Sequence, residues 1–245
     1  MRLSSLLMVL WGLAISPFAH SRPYNTHTGK WMWDNSDIVC AVRMTKWTAR
    51  ESSPGEMVLV IEYSDLKSFK GAEQLPQSGA FILNIPDFIA DQKLPKGFSR
   101  EFSDNEVSLL FLKNESGILQ PPTDGEGQFS PAFQDDGPIS RFQSFKELLL
   151  YAAGAQPDNC YAFFDLMTGF EDQELRDWLV AKSRSSDIRT AYLALSTLSR
   201  DKDPDAYELA EAALKRGKDT MSSELRKSFE YLIQNTEHFA TPPPL

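Results

Sequence analysis

The hydrophobic period of this chain changes once. Between Asp34 and about Gly137, apolar residues alternate or gather into short β-branched runs. From about Ser140 they recur every three to four positions. A pleated strand and a helix cannot share a period, so the switch predicts an α+β chain with strands first and helices after.

In the first zone, Asp37 to Trp47 sets Ile38, Cys40, Val42 and Met44 on one side, with Val39, Ala41, Arg43 and Thr45 on the other. Met57–Tyr63, Ala80–Ile85 and Val107–Lys113 are further apolar runs, and a last strand is expected around Phe129–Phe133. Turn residues punctuate them at Ser53-Pro54-Gly55, Lys70-Gly71, Gln77-Ser78-Gly79, Pro95-Lys96-Gly97 and Asn114-Glu115-Ser116-Gly117. No helical crossover fits between these runs, so the expectation is an antiparallel β-barrel or sandwich. The second zone predicts helices over Phe142–Ala153, Glu171–Ser183 and Asp187–Leu198. Another is expected with Asp203 as N-cap and Pro204 at its first position, and a last one opens at Ser222 or Ser223.

Ahead of both zones, Arg2, the apolar run Leu6–Ile15 and Ala19-His20-Ser21 have the form of a secretory signal peptide. The run is shorter than the ~20 residues that span a bilayer, and Pro17 ends it. The expected organisation is a signal peptide over 1–21, a lead-in over 22–33, a β-rich domain over 34–139, a helical domain over 140–236 and a tail over 237–245. The product is expected outside the cytoplasm, secreted or periplasmic, with no stable membrane insertion.

Export changes how the other residues read. The two cysteines, Cys40 and Cys160, are expected to form a disulfide, because the compartment permits it. The formal charge of −9 opposes nucleic acid and anionic membrane surfaces. Of three histidines, His20 leaves with the signal, and His27 and His238 stand far apart in the chain, so a histidine-driven nucleophile finds no base. No zinc spacing or phosphate loop is present, and no cofactor or metal is expected. Asp201, Asp203 and Asp205 alternate like a calcium loop. Ala206 and Ala212, however, stand where glycine and glutamate belong, so these acids read as flanking a helix N-terminus. Asp135-Asp136, or Asp104 with Glu106, could supply an acid/base pair. Asn114-Glu115-Ser116 is a formal glycosylation sequon. The aromatic residues Tyr24, Trp31, Trp33 and Trp47 are the candidate binding surface, with plugging of the β-domain's end as the competing role.

Ser186-Asp187-Ile188-Arg189, then Ala191, Ala194, Leu195 and Leu198, then Asp203-Pro204 with Ala206, Leu209, Ala210, Ala213 and Leu214, resemble HEAT-type helical repeats. That resemblance implies a packing or partner-binding surface. Asn35-Ser36-Asp37-Ile38-Val39 and Leu109-Leu110-Phe111-Leu112 resemble parts of netrin-like, OB-type barrels. The Cys-x-Cys of that family is missing, so the likeness implies an OB-like architecture without inhibitor activity. Together these readings point to an exported, non-catalytic binding or assembly protein with a protein or peptide partner. The alternatives are a secreted carboxylate-dependent hydrolase and a modulator of an extracellular enzyme that acts through Tyr24–Trp33.

Overall fold

A computed structural model describes residues 27–53, 56–71, 75–84, 97–115, 118–120, 122, 131–155 and 161–240. Helix α1 (Gly29–Asp34) comes first. The strands are β1 (Ile38–Ser53), β2 (Glu56–Lys70), β3 (Gly79–Asn84), β4 (Ser99–Glu101), β5 (Glu106–Glu115), β6 (Ile118–Gln120) and β7 (Ala132–Gln134). A 3-10 turn at Ile139–Arg141 leads to α2 (Phe145–Ala155), α3 (Tyr161–Leu166), α4 (Gln173–Ser183), α5 (Ile188–Arg200), α6 (Ala206–Arg216) and α7 (Ser223–Ala240). The chain is therefore α+β, a sheet followed by helices.

The strands form one sheet in the order β4-β1-β2-β3-β6-β5-β7, and β5 also pairs with β1, so the run β1-β2-β3-β6-β5 returns on itself. The expectation of a wholly antiparallel sheet is corrected at β3 and β6, which pair in parallel at Leu83 and Leu119. A cycle of five strands cannot alternate direction all the way round, so one neighbouring pair must run the same way. β1 is longer than its sequence pattern suggests. Ile38, Cys40, Val42 and Met44 fall in one core cluster, and so does Ala49, with Trp47 packed against it. The phase slips by one residue after Met44, where the β1–β2 register shifts around Thr45. An extra residue at a bulge turns each later side chain to the opposite face unless the pattern jumps with it, as it does here.

Val39 and Ala41, on the other side of β1, join a second buried cluster with Val107, Leu109, Phe111 and Phe133 of the sheet and Leu148, Leu149, Phe163, Phe164, Leu175, Leu195 and Phe229 of the helices. Segments on both sides of 139/140 thus share one core. Within the helical layer α4 packs on α5, α5 on α6 and α6 on α7.

Three further expectations are corrected by the structure. The Cys40–Cys160 disulfide is not formed: Cys40 is a free thiol. It is fully buried in the cluster that lines the inside of the strand cycle, facing away from the helical layer. Position 160, which immediately precedes α3, lies outside the described residues. The lead-in over 22–33, for which the sequence predicts no element, holds all but the last residue of α1. The helix expected from Pro204 begins at Ala206. Asp203 instead ends the preceding turn, where its Oδ1 accepts from the Asp205 N–H at 2.9 Å and its carboxylate receives Arg176.

Candidate functional site

Helix α1 is short, and its position depends on its contacts. Thr28 caps it, its Oγ1 accepting from the Trp31 N–H at 3.1 Å. The Gly29 N–H donates to Thr168 Oγ1 at 3.1 Å and the Lys30 N–H to the Thr168 carbonyl at 3.0 Å. Glycine is required at position 29 because a Cβ there would lie 1.9 Å from the Leu166 carbonyl oxygen. On the partner side of the contact, Gly169 has φ +79°, a left-handed conformation. Its N–H donates to Asp201 Oδ1 at 2.7 Å, which ties the turn to the end of α5. Met32 is buried, Ser36 Oγ donates to the Met32 carbonyl at 2.7 Å, and Lys70 Nζ donates to the Trp33 carbonyl at 2.7 Å.

So fixed, Trp33 forms one wall of a cleft of about 400 Å³ between the end of β2 and helices α2 and α4. Phe69, Phe145, Leu149, Phe170 and Leu175 supply the rest of its apolar lining. Phe145 is the hub: its ring lies 4.9 Å from that of Trp33, 6.0 Å from Phe69 and 6.1 Å from Phe170. Phe145 and Leu149 are buried as the floor, while Trp33, Phe69 and Phe170 remain half-buried. Ser68, Gln143, Ser144, Lys146 and Asp172 add polar lining. Lys146 Nζ sits 3.1 Å from Asp172 Oδ2 and 2.6 Å from Glu174 Oε2, and these two carboxylates raise its pKa. Asp172 is also the N-cap of α4. The Leu175 N–H it accepts, with help from Lys146, holds its carboxyl below the usual range.

The four aromatic residues read from the sequence do not form one surface. Trp33 lines the cleft. Trp31 stacks on His27 with centroids 3.7 Å apart, and Trp47 packs beside Phe98 against the other core. Tyr24 lies outside the described residues. Removing Tyr24–Trp33 would take Met32 from the core. Phe69, Phe145 and Phe170 were missed because each reads locally as a strand or helix core position or as loop. Their meeting is a tertiary event.

The acidic pairs have other settings. Asp104 and Asp136 line a polar hollow of about 430 Å³ with Asp65, Asn105, Gly137 and Arg43. Arg43 reaches across it, donating to the carbonyls of Asp104 at 2.9 Å, Asp135 at 2.7 Å and Gly137 at 2.7 Å. The Asp135 carboxylate is engaged elsewhere, receiving two bonds of 2.7 Å from Arg141 and one of 3.1 Å from Tyr151. Arg176 grips Asp203 and Asp205, which therefore brace α4 against the turn before α6. Among the described residues, no group of three or more His, Cys, Asp or Glu side chains could hold a metal ion. Among them, too, no helix is long and apolar enough to cross a membrane. No family model, no curated protein and no solved structure matches this chain.

Proposed function

We propose that this chain is an exported binding or assembly protein that performs no chemistry of its own and engages a protein or peptide partner. The observation that carries the reading is the aromatic cleft. Trp33, Phe69 and Phe170 stay half-buried side by side above a buried floor, and rings grouped in this way are commonly covered by a partner. The strand cycle with its single parallel pair supports an OB-like small barrel, and the successive packing of α4 to α7 supports HEAT-like stacking. Both are architectures on which binding surfaces are built, and the analogy extends no further than that. Residues 1–21 act as a cleaved signal peptide, so the working chain starts at Arg22 in the periplasm or outside the cell.

Two measurements test this. The exported product should give Arg22 as its N-terminal residue. The tagged chain, recovered from its own extracytoplasmic milieu, should retain a stoichiometric protein partner. Retention of residues 1–21 in the cytoplasm would refute the export claim. Turnover of a glycoside or peptide substrate that depends on Asp104 or Asp136 would favour the hydrolase instead.

A further inference from the structure

We infer that one end of the helical layer, where α4 and α6 finish and α5 and α7 begin, is a basic docking surface for a short acidic segment of a polypeptide. This rests on the binding reading above and adds a second surface with the chemistry of its partner.

Tertiary packing builds this surface from cations that lie apart in the sequence. Arg216, the last residue of α6, donates to the Ser183 carbonyl at 2.9 Å and the Ser185 carbonyl at 3.2 Å, at the end of α4. A Cβ at Gly217 would lie 2.5 Å from Met221 Cε and 2.9 Å from Ile188 Cγ1, so the same point touches the start of α5 and the turn into α7. Arg226 donates to the Lys218 carbonyl. Residues 182–189 and 215–227 are thereby gathered at one end, with eight Lys and Arg against three Asp and Glu. That is a net of five positive charges in a chain whose formal charge is −9, and the rest of the molecule is more acidic still.

Helix dipoles account for part of this charge. Lys182, Lys215 and Arg216 stand in last turns, where cations are favoured. They do not account for Arg189 in the first turn of α5, or for Arg226 and Lys227 at the start of α7, where the dipole opposes a cation. Nor is the charge consumed within the fold. Among the described residues, Lys182, Arg184, Lys215, Lys218 and Lys227 enter no ion pair, whereas Arg176 and Arg200 at the opposite end grip Asp203, Asp205 and Asp165. Of the three carboxylates, Asp187 is spent on capping α5, where it accepts from the N–H groups of Arg189 and Thr190. Arg184, Lys215, Arg216, Lys218 and Lys227 are exposed, and the partner they fit is anionic. Every exposed position in 182–189 and 215–227 is polar, so the surface offers neither a ring for a base to stack on nor an apolar wedge for a bilayer. A long polyanion would also run off it onto a surface of its own sign. A few Asp and Glu side chains fit within it, and the exposed guanidinium of Arg184 has the shape that pairs with a carboxylate.

Chemical-shift titration tests the inference with an acetylated and amidated Glu-Asp-Glu-Asp peptide and its Gln-Asn-Gln-Asn counterpart. Oligothymidylate and phosphatidylserine vesicles serve as the competing anions. The acidic peptide should give saturable shifts at Arg184, Lys215, Lys218 and Lys227 in about 50 mM salt, and its affinity should fall as salt is added. The amide peptide should give none. Lys218→Glu and Lys227→Glu, each at an exposed position, should weaken the acidic peptide roughly three- to fivefold, the scale of reversing one exposed charge. Lys202→Glu, exposed at the opposite end of the helices, should leave it unchanged. No saturable shift, shifts that map elsewhere, equal weakening in Lys202→Glu, or tighter binding of oligothymidylate or of the vesicles would overturn the assignment. If the Lys218→Glu, Lys227→Glu double variant still retains the extracytoplasmic partner, the inference falls while the binding reading stands. If the native chain retains no partner yet binds the acidic peptide at these residues, the binding reading falls and the surface assignment stands.

Discussion

Asp135 shows how much one side chain can hold in this fold. Burial pushes its carboxyl up. The bonds from Arg141, the Gly137 N–H and Tyr151 together outweigh that, so it titrates below its ordinary value. The guanidinium of Arg141 also lies over the rings of Phe142 and Tyr151, at 4.4 Å and 4.8 Å. Arg141→Ala leaves a nearly buried carboxylate without its cation and should cost about 2–3 kcal/mol in urea unfolding at neutral pH. Arg141→Lys should recover less than half of this, since lysine offers neither the paired donors nor the planar stack. Because the folded pKa is depressed, the stabilisation from this pair is complete above about pH 4 and is lost as pH falls through the lower folded value. Asp135→Asn should therefore flatten the acid limb of the stability curve. Cys40 behaves in the opposite sense. Burial pushes its thiol up to about 12, so it should resist alkylation at neutral pH in the native protein and react once unfolded. A thiol titration of denatured, unreduced protein that finds Cys40 blocked would restore the disulfide.

At the scale of elements, α1 is the instructive case. Six residues cannot hold a helix by propensity, so this one exists because it is docked. Its contacts run through Gly29, Thr168 and Gly169 to Asp201 at the end of α5. Gly29→Ala places a methyl group against the Leu166 backbone, which cannot move aside as a side chain would. The expected result is a loss of about 2 kcal/mol or more, with increased amide exchange across α1 and an altered Trp fluorescence. Thr168→Val withdraws the hydroxyl that accepts from the buried Gly29 N–H and donates to the Asp165 carbonyl, and should cost about 1–3 kcal/mol. A Gly29→Ala variant as stable as the native chain would show that the close approach at Gly29 is not what fixes the helix.

For the whole molecule the shared core is decisive. Val39, Ala41, Val107, Leu109, Phe111 and Phe133 are buried against helices, so the sheet alone would expose a wide apolar face. Calorimetry of the chain should give one cooperative transition, and residues 27–139 alone should not fold to a stable state. Two well-separated transitions would show that each segment has a sufficient core of its own.

The sequence by itself determined the α+β order, the two faces of β1 and most of the helices. These follow from local periodicity, which one segment carries whole. It placed Ile38, Cys40, Val42 and Met44 together because a pleat fixes side-chain direction residue by residue. It could not reveal β4, β6 or α1, since three to six residues hold no readable period and take their shape from what they pair with or dock on. Nor could it show that Cys40 faces away from the helices, or that Phe69, Phe145 and Phe170 meet Trp33. Those facts depend on which face of the sheet the helical layer covers, and the tertiary structure decides that by joining distant apolar surfaces into one core.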